Sequence, residues 1–353
     1  MSQNKFLYAV KFIACLMVIT IHVRFPDPVG LYVTALARFA VPFFFAVSGR
    51  FLLADAGSTV EIRDRVLRSL KKLLKITALV YLIYQLYSVI YHIGIGVSLS
   101  DVISDRFNIG SFKRFLFFNS GKIIYDDSYA FDHMWYLFAM IYVLLFIFAF
   151  APVLRKGYRA VMIILMLCLH FFTFMQGIRE IRILGISFTT WYVTRSWLFT
   201  GIPYVLLGIL WGDIVGRIRA DRTPEEYGRI VALWKIPGIC FLTTGILSTC
   251  VEAYLMGGKD IYMGSLLMVL GILLLSEAYA EKGTVIWKIG KSASSNIYFY
   301  HVLILAVLNL AADMGFIHTI PAGIRPFVIM VISILLFYSL PELYRSVINV
   351  KKG

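Results

Sequence analysis

Ten long apolar segments run through this chain of 353 residues, and they constrain its fold more than any other feature. A helix that crosses a lipid bilayer needs about 20 mostly apolar residues. The segments are 6–24, 31–54, 73–95, 134–153, 160–176, 197–212, 234–256, 260–280, 294–313 and 323–344. Only 15% of the residues are charged, against about 25% in soluble domains, so a water-soluble globule is excluded. We predict an all-α, polytopic transmembrane helix bundle of about ten spanning helices, formed by a single domain over residues 1–353 without an appended soluble domain.

The positive charges are divided unevenly between the loops on the two sides of this bundle. Lys and Arg exceed Asp and Glu by 14, but no soluble basic face is present, so we expect no nucleic acid as a partner. With a cytoplasmic N-terminus, the inner loops carry roughly twice as many Lys and Arg residues as the outer loops. Tryptophans at the predicted span boundaries agree with this orientation, outer for Trp135, Trp191 and Trp197, and inner for Trp211, Trp234 and Trp287. Both termini are therefore predicted to be cytoplasmic.

Metal and disulfide chemistry are not indicated by the sequence. The four cysteines lie in apolar segments, without a Cys-x-x-Cys pair or a histidine at metal-ligand spacing: Cys15, Cys168, Cys240 and Cys250. We therefore expect no metal cofactor. Gly208-x-x-x-Gly212 predicts a close helix contact in the sixth span, which concerns packing and not chemistry.

Ionisable residues within the spans are the strongest functional signal, because a charge in the bilayer costs several kcal/mol unless it faces a polar interior. The predicted outer half of the bundle gathers residues suited to proton transfer or a polar substrate, namely His22, Arg38, His133, Arg195 and Glu252. The predicted inner half gathers cations suited to phosphate groups, namely Lys11, Arg50, Lys71, Lys72 and Lys75. Topology alone also explains lysines in a cytoplasmic loop, and His301 also fits a structural histidine bonded between helices.

Several short motifs occur along the chain in an order that is typical of one protein family. A basic residue precedes a histidine by eleven positions at Lys11 and His22, an aromatic run leads into Ser48-Gly49, and His133-x-Trp135-Tyr136-Leu137 opens the fourth span. Near the C-terminus the pattern is Gly290, Asn296, Tyr298 and His301. In this order the motifs resemble acyltransferase family 3, the bacterial integral-membrane O-acyltransferases. Lys11 departs from the family, which usually has Arg at this position. A lysine keeps the positive charge but cannot form the bidentate hydrogen bonds of a guanidinium with phosphate.

The resemblance implies an enzyme of the bacterial inner membrane. Such an enzyme passes an acyl group, usually acetyl, from cytoplasmic acetyl-CoA to a hydroxyl group of an extracytoplasmic cell-surface glycan. It implies that His22 is central to the transfer, as the general base or the acyl carrier. We expect Glu252 to orient His22, and Arg38 or Arg195 either to stabilise the developing oxyanion or to hold an acidic acceptor. Coenzyme A would bind to Lys11, Arg50, Lys71, Lys72 and Lys75. The acceptor would meet His133, Arg195, Tyr298 and His301.

A transporter or flippase for a small polar or lipid-linked molecule is the alternative, because many helices and intramembrane charges suit it equally well. No inverted repeat is apparent, although Pro42 and Pro203 interrupt two of the spans. A purely structural membrane protein would leave the intramembrane cations and histidines unexplained. The sequence gives no indication of the acceptor or of the oligomeric state.

Overall fold

The computed structural model describes residues 3–53, 58–126, 128, 130–183 and 185–350. Predictions that concern residues 1–2 and 351–353 lie outside the described residues. The helices are α1 (Lys5–His22), α2 (Val29–Ala37), α3 (Ala40–Leu52), α4 (Thr59–Gly94), α5 (Leu99–Arg106), α6 (Ile109–Phe118), α7 (Trp135–Met175), α8 (Trp191–Thr194), α9 (Ile202–Ala220), α10 (Pro224–Leu233), α11 (Lys235–Met256), α12 (Met263–Ala278), α13 (Ile286–Ser292), α14 (Ser294–Asp313), α15 (Arg325–Ile334) and α16 (Leu340–Val350). Two π-helical turns, Trp197–Gly201 and Leu335–Ser339, lead into α9 and α16, and β1 (Arg182–Ile183) pairs antiparallel with β2 (Ile186–Ser187).

The described helices include eight stretches that are long and apolar enough to cross a membrane. They are Lys5–His22, Val29–Leu52, Thr59–Gly94, Trp135–Met175, Trp197–Ala220, Pro224–Met256, Ser294–Asp313 and Arg325–Arg345. The predicted all-α, polytopic bundle is therefore confirmed. The number of separate spanning elements differs from the ten that were predicted. Segment 260–280 contains only the shorter apolar helix α12, and segments 134–153 and 160–176 are joined within α7.

Helix α7 doubles back on itself. Its 41 residues would measure about 62 Å if straight, roughly twice the thickness of the hydrocarbon core. The backbone leaves the helical region at Phe150, where φ is −97° and ψ is 16°. The guanidinium of Arg195 lies 5.2 Å from the Trp135 ring, and the Phe172 ring lies 5.5 Å from that of Phe199. Both ends of α7 therefore lie beside the same short segment, and the predicted loop at 154–159 is instead a bend a few residues earlier.

Helix α3 lies in the centre of the bundle, with most of its side chains buried. Helix α9 packs directly on its backbone, because a Cβ on Gly208 would lie 1.9 Å from the carbonyl oxygen of Ala46. A Cβ on Gly212 would lie 2.8 Å from the carbonyl oxygen of Arg50. Only glycine permits this approach, so the close contact predicted from the Gly208-x-x-x-Gly212 spacing is confirmed. This close packing against α9 fixes the position of α3 within the bundle.

Segments that the sequence assigns to one side of the membrane meet in the structure. At the start of α1, Asn4 donates a 2.7 Å hydrogen bond to the Ser276 carbonyl, and Lys5 Nζ lies 3.0 Å from Glu281 Oε2. At the other end of α1, His22 meets Asp132. We refer to the side where α1 begins as the inner side and the side where it ends as the outer side. This division agrees with the loop assignment predicted from the charges.

Candidate active site

The last residue of α1, His22, faces a carboxylate from the loop that precedes α7. Its Nδ1 atom lies 3.3 Å from Oδ2 of Asp132, and the His22 side chain is only 10% exposed. Because a carboxylate only accepts hydrogen bonds, this contact favours the proton on Nδ1 and leaves a free lone pair on Nε2. An imidazole held in this way is suited to act as a general base or as a nucleophile.

Two arginines and two aspartates lie around this histidine. Arg195 Nη2 lies 3.7 Å from Asp132 Oδ1, and its Nη1 lies 3.4 Å from Asp260 Oδ1. Arg38, between α2 and α3, places Nη1 3.4 Å from the same oxygen of Asp260. The guanidinium of Arg195 also stacks over the Trp135 ring. The two positive and two negative charges therefore compensate one another within the site.

These contacts hold Asp132 in its ionised form. Burial alone would raise the pKa of Asp132, but the hydrogen bond from His22 and the positive charge of Arg195 outweigh it, so the pKa lies well below its usual range. Arg195 is affected in the opposite sense, because the nearby Tyr125 and Asp132 raise its pKa more than burial lowers it. Asp132 can thus keep the His22 tautomer fixed across the physiological pH range.

Two further histidines, both fully buried, stand next to His22. The ring centroids of His133 and His301 lie 6.2 and 5.3 Å from that of His22. His133 Nε2 lies 2.9 Å from the Phe299 carbonyl, and His301 Nδ1 lies 2.9 Å from the Tyr298 carbonyl. Carbonyls accept only, so these nitrogens carry the protons and the opposite nitrogens keep free lone pairs. Burial lowers the pKa of His133 to about 3, so its ring is neutral at physiological pH.

A small polar cavity, here called the central cavity, lies at the meeting point of these side chains. Its volume is about 30 Å³, which leaves room for about one or two water molecules. Its polar lining consists of His22, Arg38, His133, Arg195, Thr200, Asp260 and Tyr298. Four buried atoms around it have no hydrogen-bond partner among the described residues, namely Nε of Arg38, Nε of Arg195, Nδ1 of His133 and Nε2 of His301. Unsatisfied buried donors and acceptors in one place indicate a site for a polar ligand. In the described part of the chain, no group of His, Cys, Asp and Glu side chains is arranged to hold a metal ion.

A larger cavity, the inner cavity, approaches the site from the inner side. Its volume is about 410 Å³, within the range of small-molecule sites, and its walls combine aromatic side chains with Lys11, Cys15 and Lys72. Tyr298 lines both the inner and the central cavity. The Tyr298 hydroxyl donates a 2.9 Å hydrogen bond to the His133 carbonyl, so this ring is held as a partition between the two cavities.

A third cavity, the outer cavity, lies on the other side of His22. Its volume is about 370 Å³, and its polar lining consists of His22, Arg24, Asp132, Asn309 and Arg325. His22 therefore lines both the central and the outer cavity. The three cavities follow one another from the inner to the outer side, with Tyr298 at one junction and His22 at the other.

The cations predicted to bind coenzyme A are found in three different settings. Lys11 and Lys72 line the inner cavity together, whereas Lys71 and Lys75, which are exposed as Lys72 is, line none of the cavities described here. Arg50 is buried and forms an ion pair with Glu277, whose second oxygen accepts a 3.0 Å hydrogen bond from Tyr227. The structure therefore does not bring these five cations together in one cavity. Arg50 is paired in this way because α3 packs against α12. A guanidinium buried between the two helices needs a carboxylate to balance its charge.

Glu252 does not make the contact with His22 that was expected of it. Its carboxylate accepts 3.2 Å hydrogen bonds from the backbone amides of Met263 and Gly264, the first residues of α12. Its Oε2 atom lies 3.8 Å from Lys259 Nζ. These contacts cap the start of a helix. The carboxylate at the histidine is Asp132 instead.

The sequence prediction missed two aspartates of the site, because Asp132 lies outside the predicted spans and Asp260 lies at the very end of one, where a charge costs little. Asp132 directly precedes His133, which begins the motif that opens the fourth span, and this position could have indicated that Asp132 belongs to the site. Asp260 is the first residue of the eighth predicted segment and offered no comparable signal. Of the predicted outer residues, the structure brings together His22, Arg38, His133, Arg195, Tyr298 and His301.

Comparison with known protein families gives one match. The sequence model described as an acyltransferase domain matches residues 4–340, nearly the whole chain. Neither the curated proteins nor the solved structures contain a significant match to the chain.

Proposed function

Because the chain belongs to this family of membrane acyltransferases, we propose that it transfers an acetyl group from cytoplasmic acetyl-CoA to a hydroxyl group of an extracytoplasmic glycan. The observation that carries the proposal is the position of His22. Its imidazole lines both the central and the outer cavity, and the central cavity adjoins the inner cavity at Tyr298. A donor and an acceptor could thus approach one imidazole from opposite sides of the membrane.

In this proposal Asp132 holds His22 with Nε2 free. Nε2 either removes the proton from the acceptor hydroxyl as that oxygen attacks the thioester carbonyl, or attacks the carbonyl itself and carries the acetyl group to the acceptor. In both routes the thioester C–S bond breaks, and coenzyme A leaves as a thiolate that takes up the proton lost by the acceptor hydroxyl. Both routes place negative charge on the carbonyl oxygen. The buried Nε–H groups of Arg38 and Arg195, which lack partners among the described residues, are suited to stabilise that charge.

The inner cavity is the proposed place of the donor's pantetheine arm. Its aromatic walls suit an uncharged thioester chain, and the ammonium groups of Lys11 and Lys72 suit the phosphates of coenzyme A. Lys11 lies within a span and has no carboxylate partner in the described part of the chain. Its charge is therefore available for a bound anion.

The acceptor side is assigned to the outer cavity. A hydroxyl group at the His22 wall would receive the acetyl group outside the membrane, which fits an enzyme that modifies the cell envelope of a bacterium from its inner membrane. His133, Arg195, Tyr298 and His301 surround the reaction centre in this proposal. The first three line the central cavity itself, and the His301 ring lies 5.3 Å from that of His22.

The test is acetyl transfer from labelled acetyl-CoA in proteoliposomes that enclose a cell-envelope glycan extract. The parent protein should label the extract, and His22→Ala should lower the rate by about 100-fold or more. His318→Ala, which removes a histidine from the outer loop before α15, is the matched control and should keep the parent rate. Undiminished transfer by His22→Ala would remove His22 from the chemistry.

A carrier for a small polar molecule is the second candidate, because a line of cavities from one side to the other also suits transport. Saturable binding of coenzyme A to the purified protein separates the two functions. A simple carrier has no use for coenzyme A, whereas the proposed enzyme must bind it.

A further inference from the structure

The outer cavity contains a guanidinium whose charge no described carboxylate compensates. Nε and Nη2 of Arg325 donate hydrogen bonds of 3.1 and 2.8 Å to the carbonyl oxygen of Ile320. None of the ion pairs in the described part of the chain includes Arg325. Arg24, the other arginine of this cavity, pairs with Asp27 at 2.7 Å. Arg325 therefore brings a net positive charge to the cavity wall.

The position of Arg325 is not explained by the stability of its helix. Arg325 is the first residue of α15, where the helix dipole opposes a positive charge, and the preceding Ile324 supplies no side-chain cap. The helix dipole and the guanidinium both favour a negative group at this end of the helix. A guanidinium and a helix N-terminus beside the same cavity point to an anionic ligand.

The size of the cavities decides where an acceptor binds. The central cavity holds no more than about one or two water molecules, whereas the outer cavity of about 370 Å³ is large enough for a small ligand such as a sugar unit. His22 and Asp132 form part of its wall, and Asn309 adds an amide able to bond to neutral hydroxyls. A ligand in this cavity can meet Arg325 and His22 along the same wall.

We propose that the acyl acceptor carries a carboxylate or phosphate group and that Arg325 binds this group in the outer cavity; the role as acceptor site rests on the function proposed above. Arg38 and Arg195, expected from the sequence to hold an acidic acceptor, are compensated by Asp260 and Asp132. Arg325 is thus the residue that selects an acidic acceptor.

Equilibrium binding tests this inference without any acyl transfer. The full chain in phosphatidylcholine nanodiscs is titrated with methyl glucoside, methyl glucuronide and methyl glucoside 6-phosphate, which share their remaining hydroxyl groups. We expect at least one charged sugar to bind about tenfold or more tightly than the neutral one, the size expected of a charge-assisted hydrogen bond. The two charged sugars distinguish a carboxylate from a phosphate ligand. Equal affinities, or no binding of any sugar, would overturn the proposal.

Three variants assign the preference to a residue. Arg325→Gln should remove the preference for the charged sugar, and Arg325→Lys should retain it. Arg182→Gln, at an exposed arginine of β1 on the outer side, should behave as the parent. If Arg325 only anchors the chain at Ile320, Lys cannot replace the two hydrogen bonds to that carbonyl. In that case both Arg325 variants would bind alike, which contradicts the proposal.

The transfer assay keeps this inference separate from the proposed function. A charged-sugar preference that depends on Arg325, without acetyl transfer, supports the anion site and counts against the enzyme. Transfer to a glycan extract without any such preference supports the enzyme and overturns the anion site.

Discussion

The Nδ1 atom of His22 lies 3.3 Å from the Oδ2 atom of Asp132, at the junction of two cavities. The contact joins the end of α1 to the loop that precedes α7. Its evident consequence is to fix which nitrogen of His22 is free. The pair therefore gives the most direct test of the proposed chemistry.

Asp132→Asn should lower the rate of acetyl transfer by about 100-fold. An amide can turn its NH₂ group toward Nδ1 and so favour the tautomer in which Nε2 carries the proton and cannot act as a base. The measurement is kcat in proteoliposomes at saturating acetyl-CoA. Asp105→Asn, at an exposed outer aspartate that pairs with Lys122, is the control and should keep the parent rate. Parent activity in Asp132→Asn would exclude an orienting role.

Much of the fold followed from the sequence, because the bilayer imposes a length and a composition on each crossing. The segments 6–24 and 294–313 correspond closely to α1 and α14. The bend of α7 was misplaced because Phe150 lies in an unbroken apolar run, and the nearest polar residues, Arg155 and Lys156, follow the turn instead of forming it.

The site was only partly predictable, since a sequence shows which charges lie within spans but not which of them face each other. His22, Arg38 and Arg195 were found because intramembrane charges are costly. Asp132 and Asp260 were missed because a carboxylate in a loop, or at the first position of a span, carries no such cost. The ion pair of Arg50 was not predicted, because its partner Glu277 lies 227 residues away in the chain.

Lys72→Ala should raise the KM for acetyl-CoA by about fivefold or more, because it removes a cation from the wall of the inner cavity. Lys75→Ala changes an exposed lysine of the same helix, close in sequence, and should have little effect. Initial rates at several acetyl-CoA concentrations and low ionic strength provide both values. Equal effects of the two substitutions would indicate a general surface charge effect and not a binding site.

Arg50→Ala should destabilise the fold by about 3–5 kcal/mol, because it removes the closest cation from the buried Glu277 and leaves only Arg219, 3.9 Å from its second oxygen. The double variant Arg50→Met and Glu277→Leu should recover much of that loss, since it removes both charges. Thermal unfolding in detergent measures the three proteins against the parent. If Arg50→Ala instead kept the parent stability and only raised the KM for acetyl-CoA, Arg50 would belong to the donor site after all.

Tyr298→Ala should increase the hydrolysis of acetyl-CoA relative to transfer. The change removes the ring that separates the inner from the central cavity, so water from the outer side gains access to the thioester. Tyr298→Phe keeps the ring, loses only the hydrogen bond to the His133 carbonyl, and should cost about 1 kcal/mol of stability without this uncoupling. Release of free coenzyme A with and without an acceptor distinguishes the two variants. A hydrolysis ratio that stays unchanged in Tyr298→Ala would contradict the partition.

Because of His133, the free energy of unfolding should decrease as the pH falls. Burial lowers its pKa in the fold to about 3, whereas an unfolded histidine titrates near 6.5. Between these values the unfolded state binds one more proton, so the free energy of unfolding rises with pH by up to about 1.4 kcal/mol per unit and stays level above pH 6.5. His133→Gln keeps a donor for the Phe299 carbonyl but does not titrate, so its stability should depend less on pH between 4.5 and 6.5. Unfolding of both proteins in denaturant across this range measures the difference, and identical slopes would mean that His133 is protonated in the fold.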